Sequence, residues 1–395
     1  MNIHSEHHQT AYNFVNSIET LALCLEEIAD SKEVALDIEF DRDRYSYGTT
    51  LCLIQLSDAK KCYLIDPFSF QADELKPLFE FLEDERILKI MHAPGEDLHL
   101  LALQGCFPKS IFDTERCARL LNFQAFSLSA LAVELCGVLL DKSQQKTDWN
   151  KRPLSNSQLV YAAQDVIYLS QIKHKMDLMA EEKGILNWFG EENASWNKFK
   201  MEEKQPGQFA SKDDSKRLPP FQLFIYNALL GIRDQYAQLL NKPGYQVIPK
   251  EILIDLSFKP ELISGWFSLK GIHPKFQTEG VKLELARSME EATALAADMK
   301  LLKFNESSRF TPQQRAEQAA ERKRIADEVD VCFRPVLEVI TQSYGEYAAA
   351  YLLNEKTMSE LASGKLRISK LPYFYRSELI LNIAQDLGIN LAAYL

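Results

Sequence analysis

The 395-residue chain contains no apolar run approaching the length of a membrane span, and it opens on Met1-Asn2-Ile3-His4-Ser5-Glu6-His7-His8 without a basic stretch leading into an apolar one. Neither export nor membrane insertion is expected; a cytoplasmic location is. Cysteine is sparse and scattered, seven residues (Cys24, Cys52, Cys62, Cys106, Cys117, Cys136, Cys332) with no CxxC pair. That pattern suits buried thiols in a reducing compartment rather than disulfides or zinc. His4, His7 and His8 read as a mobile terminal tract rather than a metal grip. A GxxxxGK[ST] phosphate loop is missing, so no nucleotide cofactor is expected. Basic charge is also short: 45 Lys and Arg against 56 Asp and Glu leave a net charge of −11.

Composition otherwise describes a soluble globular protein, 46% hydrophobic and 26% charged, whose length calls for two or three domains. The first half alternates strand and helix patterns. Strands are predicted at 34–40, 51–57, 62–67, 87–92 and near 110–113, and helices at 18–30, 72–83, 96–104, 114–121, 127–136 and 155–183. Short connections between the first strands predict antiparallel neighbours on one side of a mixed sheet.

Three acidic motifs punctuate this half. Val34-Ala35-Leu36-Asp37-Ile38-Glu39-Phe40 reads as a buried strand, in which Asp37 and Glu39, two apart, share a face. Like charges so placed repel and resist desolvation unless a cation is present. Asp97 follows a strand that breaks at Pro94-Gly95 and falls in the first turn of a helix. Tyr161 and Asp165, four apart, face the same way on a helix that Ser155 is placed to cap. Each motif alone is ordinary, since acidic residues are mostly solvated; order, spacing and element type together carry the signal.

These residues resemble the ribonuclease D branch of the DEDD exonucleases, those with a tyrosine in the third motif. Asp37-Ile38-Glu39, His92 to Asp97 and Tyr161 to Asp165 match its three motifs. The stretch Thr147-Asp148-Trp149-Asn150-Lys151-Arg152-Pro153-Leu154 with Gln158 is also similar. Ile38 stands where many relatives carry a small polar residue, which bears on substrate preference. The resemblance implies an α/β ribonuclease H-like 3′-5′ exonuclease domain followed by two all-α HRDC-like domains. It also implies 3′→5′ removal of 5′-mononucleotides from the single-stranded 3′ ends of structured RNA, transfer RNA precursors among them, by a protein expected to be monomeric. Two divalent ions, Mg²⁺ or Mn²⁺, would be needed. By the same resemblance Asp37 would bridge both, Glu39 and Asp165 would hold the ion that activates water, and Asp97 would hold the other. Such chemistry suits hard oxygen ligands, because two cations about 3.5–4 Å apart stabilise both ends of an in-line displacement at phosphorus. A phenol with an ordinary pKa near 10 is a poor base at neutral pH, so Tyr161 is expected to orient water. The same five residues would serve a DNA exonuclease, and the helical half alone would serve an inactive RNA-binding scaffold.

Phe40 beside the ligands is a candidate for stacking on the terminal base, and His92, Lys151 and Arg152 are candidates for contacts near the scissile bond. The expected division is an exonuclease domain at 1–200, a linker at 201–216, an HRDC domain at 217–298, a linker at 299–318 and a second HRDC-like domain at 319–395. Nucleic-acid partners usually leave a basic footprint, which the net charge opposes, although bound metal adds positive charge that the residue count omits. Locally, residues 212–287 carry 11 basic against 8 acidic side chains. Arg217, Arg233, Lys242 and Lys250 in that interval are candidate phosphate contacts.

Overall fold

The computed structural model describes residues 11–58, 60–199, 207–304 and 311–395. His4, His7 and His8, together with residues 201–206 of the first expected linker and 305–310 of the second, lie outside them. The described residues divide into two compact units, those within 1–40, 51–201 and 318–395 forming one and those within 41–50 and 202–317 the other. Among the described residues no helix is long and apolar enough to cross a membrane.

In the first unit six strands form one mixed sheet: β1 (Asn13–Val15), β2 (Glu33–Arg42), β3 (Thr49–Ser57), β4 (Cys62–Ile65), β5 (Leu88–Met91) and β6 (Ile111–Asp113), ordered β1-β4-β3-β2-β5-β6. β3 and β4 are antiparallel, as the short connection predicts, whereas β2 with β5, β5 with β6 and β1 with β4 are parallel. β1 has no counterpart among the predicted strands; three residues carry too little alternation to register. β2 lies inside the sheet with neighbours on both sides, and Val34, Ala35 and Leu36 are fully buried. Ile38 is buried too, facing away from Asp37 and Glu39, so its methyl groups serve the core and not the site.

Around the sheet run α1 (Ile18–Ile28), α2 (Lys76–Glu83), α3 (Gly95–Leu103), α4 (Thr114–Leu120) and α5 (Leu128–Leu131), the last continued by a π-helical turn to Cys136. The helix expected over 155–183 is two: α6 (Asn156–Ile167) and α7 (Leu169–Glu182) meet at Tyr168, whose φ of −95° and ψ of −12° interrupt regular helix. α8 (Leu186–Ala194) follows.

The second unit is helical apart from the 41–50 segment. α9 (Lys212–Arg217) is capped by Ser211, so the end of the expected 201–216 linker is ordered helix. α10 (Pro220–Leu240) packs against α12 (Lys250–Phe258) and α13 (Glu279–Asp298), with the short α11 (Gly244–Val247) between α10 and α12. Trp266 is fully buried and donates its indole N–H to the Phe276 carbonyl at 3.1 Å. Segment 41–50 is held in this unit by the Tyr47 hydroxyl donating to Asp234 at 2.9 Å and the Tyr245 hydroxyl donating to the Arg44 carbonyl at 3.0 Å.

The last helices are α14 (Pro312–Glu328), α15 (Arg334–Tyr344), α16 (Glu346–Leu352), α17 (Glu355–Ala362) and α18 (Phe374–Asp386). α14 runs through part of the expected 299–318 linker. It buries no residue, but Ala, Gln, Glu and Arg are strong helix formers, and Arg324 pairs with Glu321 and Glu328. Residues 318–395 group with the nuclease residues in one compact unit. Their apolar side chains share one core with the nuclease helices, Trp188 stacking on Tyr375 at 4.7 Å. Glu192 of α8, fully buried, accepts from the Tyr351 and Tyr375 hydroxyls at 2.9 and 2.6 Å and from Arg376 at 2.6 Å. Asn122 caps α16 by accepting from the Tyr347 and Ala348 amides, and it lies so close to Gly345 that a Cβ there would come within 2.1 Å of its amide nitrogen.

Candidate active site

Three elements of the first unit carry the acidic motifs. Along β2 the two-residue period turns Asp37 and Glu39 out of the core between buried Leu36 and Ile38. α3 starts beyond a tight turn at Ala93, whose φ is +52°. Asp113 holds that turn, one carboxylate oxygen accepting from both the Ala93 and the Glu115 amides at 3.0 Å. Asp97 then sits in the first turn of α3. α6 starts with a reciprocal cap, the Ser155 hydroxyl accepting from the Gln158 amide while the Gln158 side chain accepts from the Ser155 amide. One turn further, Tyr161 is buried and its hydroxyl donates to Asp165.

The fold therefore brings Asp37, Glu39 and Asp165 together, their carboxylate oxygens within 4.8 Å of one another. Asp97 stands outside that triad but near enough to act on Asp37 and Glu39. All four carboxylates keep some surface yet are largely enclosed by protein. Burial raises the pKa of Asp37 well above the ordinary carboxylate value, and Asp97, Asp165 and Glu39 raise it further. Glu39 is raised by burial and then by Asp165 and Asp97. Asp97 is pushed up to about 7 by burial, Glu96 and Asp113; Asp165 also reaches about 7 through burial, opposed by the Tyr161 hydrogen bond and by Lys142. Burial and the neighbouring carboxylates also make the Tyr161 phenol hold its proton more tightly than usual. Four enclosed carboxylates, all with raised pKa, form a ready oxygen-donor set for divalent cations.

The other predicted contacts fare differently. Arg152 is fully committed: its five N–H groups reach both Asp66 oxygens and the carbonyls of Cys52, Trp149 and Lys151 at 2.7 to 2.9 Å. It fastens a loop and has no donor left for phosphate. Lys151 is exposed, 3.9 Å from Asp148. Trp149 is buried, as a loop anchor should be, and its ring lies against that of Tyr161. His92 bonds Thr114 at 2.9 Å, and burial, with a smaller push from Lys142, lowers its pKa to about 4; a neutral imidazole is an anchor rather than a phosphate cation. Phe40, on β2 itself, is partly buried and packs against the core. In the second unit, Arg233 and Lys250 line one cavity of about 810 Å³, whereas Arg217 and Lys242 do not. Lys250 lies 3.9 Å from Asp214.

Sequence reasoning missed Asp113 and Lys142. Asp113 is an N-cap in a sequence rich in them, and nothing local marks it. Lys142 lies only a few residues ahead of the Thr147-to-Leu154 motif, and that proximity was the available signal.

A mixed sheet bearing carboxylates on its central strand, completed by an acidic helix turn and a Tyr-x-x-x-Asp helix, defines a 3′-5′ exonuclease; residues 12–181 match the 3′-5′ exonuclease domain family. The ribonuclease D of Bartonella henselae is 30% identical over 281 residues, which cover 67% of this chain and 69% of that protein. That of Sphingobium indicum is 31% identical, covering 72% and 74%. The crystal structure of Escherichia coli RNase D, an exoribonuclease involved in structured RNA processing, matches at a TM-score of 0.68 and 25% identity, over 95% of this chain and 99% of that one. The chain belongs to the ribonuclease D family, and its activity is that of a 3′→5′ exoribonuclease.

Proposed function

We propose that the chain trims single-stranded 3′ tails of structured RNAs, transfer RNA precursors among them, one 5′-mononucleotide at a time, using two Mg²⁺ or Mn²⁺ ions held by Asp37, Glu39, Asp97 and Asp165. The observation that carries this reading is the convergence of three carboxylates within 4.8 Å, with Asp97 beside them. Bound there, the two ions would supply charge stabilisation at the attacking and leaving oxygens and lower the pKa of water. Asp37, which feels all three other carboxylates, would help to hold both ions. Tyr161 holds its proton tightly, so its hydroxyl donates, and it orients the attacking water beside Asp165 without serving as a base. Attack forms the new P–O bond as the terminal 3′ oxygen of the shortened RNA departs and takes up a proton.

Lys151 contributes positive charge ahead of α6. Arg233 and Lys250, with Arg217 and Lys242 elsewhere on the second unit, engage backbone phosphates without reading sequence.

The test is incubation of a 5′-labelled RNA hairpin bearing an unpaired 3′ tail with Mg²⁺, Mn²⁺ or chelator, alongside Asp37→Ala and a DNA counterpart. Metal-dependent shortening from the 3′ end that Asp37→Ala abolishes is the expected result. RNA binding without shortening in any metal would overturn the reading and leave an RNA-binding scaffold.

A further inference from the structure

Tyr161 and Asp165 form one side of a cleft of about 40 Å³, and the other side is built by residues 140–145, with Lys142 and Gln145 lining it. Four basic residues lie between Leu140 and α6: Lys142, Lys146, Lys151 and Arg152. Only Lys142 lines the cleft. Its ammonium makes no hydrogen bond and no ion pair among the described residues, although its charge reaches both Asp165 and His92.

The segment carrying it is well held. Leu140 is buried in the core, and Asp141 accepts from the Ser143 amide and hydroxyl, both at 2.8 Å. Thr147 donates to the Gln144 carbonyl at 2.8 Å, and Gln158 of α6 donates to the Thr147 hydroxyl at 3.3 Å. Gln158 is three residues before Tyr161, so the helix that presents Tyr161 and Asp165 also fixes the loop that presents Lys142. A flexible cation would otherwise gain by closing onto Asp165, yet Lys142 stands near it unpaired. Once divalent cations satisfy the carboxylates, nothing on the protein calls for this charge.

We propose that Lys142 is a further catalytic residue of the hydrolysis, its ammonium contacting a non-bridging oxygen of the scissile phosphate on the side of the attacking water. The assignment rests on the two-cation reading above. In the pentavalent transition state charge gathers on the equatorial oxygens, and a fixed ammonium there is worth more than in the ground state. Lysine suits the task as a point charge that needs no planar geometry.

The experiment compares the full chain with Lys142→Ala, Lys142→Gln and Lys142→Arg by single-turnover cleavage of a 5′-labelled single-stranded RNA in Mg²⁺, by kcat and KM, and by thermal melting. The same RNA with a phosphorothioate at the scissile linkage provides a second substrate. Loss of a charge-assisted contact made in the transition state predicts that Lys142→Ala and Lys142→Gln lower kcat about 10- to 100-fold, with little change in KM or melting temperature. Lys142→Arg should recover most of the rate, and the loss should shrink on one phosphorothioate isomer. Undiminished kcat in Lys142→Ala, a rise in KM alone, or a rate loss that follows a loss of melting temperature and is not rescued by arginine overturns the assignment. A wild-type chain that cleaves no RNA overturns the hydrolytic reading and this one with it, whereas an active wild type with an equally active Lys142→Ala overturns this one alone.

Discussion

The indole of Trp149 lies 6.0 Å, centroid to centroid, from the ring of Tyr161 and is tilted 45° to it. The loop that precedes α6 thus supplies the wall against which the site tyrosine is held. Both rings are buried. Trp149→Ala removes that wall and is expected to cost about 3–5 kcal/mol of stability while lowering kcat, and Trp149→Phe to restore most of both. Chemical denaturation alongside steady-state kinetics checks the pair. Loss of stability without loss of kcat would separate the packing from the chemistry.

Tyr161→Phe keeps the ring and deletes only the hydroxyl that donates to Asp165. Turnover is expected to fall about 100-fold or more, with RNA affinity and divalent-ion affinity retained. Single-turnover rates and equilibrium RNA binding measure the two separately. Full turnover in this variant removes the hydroxyl from the mechanism.

Without divalent ions, the site carboxylates set an unusual pH dependence of stability. Asp97 and Asp165 hold their protons up to about pH 7 in the folded chain and release them near the ordinary value of 3.8 when unfolded. Between those values the folded state binds more protons, so stability falls as pH rises from about 4 to 7 and then levels off. Melting of the metal-free protein is expected at a higher temperature at pH 5 than at pH 8. Asp97→Asn should flatten the difference, and Mg²⁺ should raise the melting temperature most at pH 8. A metal-free melting temperature that climbs between pH 5 and 8 would contradict the enclosed carboxylate cluster.

Glu192 is buried with Arg376 and two tyrosine hydroxyls as its partners. Glu192→Ala strands a largely buried guanidinium and is expected to cost about 3–5 kcal/mol. Because that network joins α8 to α16 and α18 in one core, removal of residues 318–395 should destabilise the nuclease portion itself. Proteolysis and melting of the shortened chain test this, and an undisturbed nuclease portion would show that the last helices are dispensable.

Arg152→Ala is expected to lower stability through loss of the Asp66 pairing while leaving the salt dependence of RNA binding unchanged, since all five of its donors already serve the loop. A flattened salt slope would return Arg152 to the phosphate contacts.

Much of this was legible in the chain. Strand and helix periods placed Asp37 and Glu39 on one face, and Tyr161 and Asp165 on another, because side-chain direction within an element depends only on local geometry. The apolar runs of β2 to β5 and the cap at Ser155 are local in the same sense. Convergence is not local. The 4.8 Å approach of Asp37, Glu39 and Asp165 depends on sheet order and on where α6 packs, and the resemblance rather than the periodicity anticipated it.

Charge was the poorest guide, because a basic residue's role depends on which partners the fold brings to it. Arg152 looked like a phosphate ligand and proved to be a loop clasp, while Lys142 drew no notice and lines the cleft with no ion pair among the described residues. Polarity misled in the same way at α14, and the packing of 319–395 on the nuclease helices gave no local sign. A run of exposed helix formers resembles a linker, and what a helical segment packs on is known only from its partners in the fold. The sequence alone determined the acidic residues, the elements that carry them and the family. The tertiary structure decided their convergence, the protons they hold, the shared core of the last helices and the partners of each cation, because burial and long-range pairing exist only once distant segments are packed together.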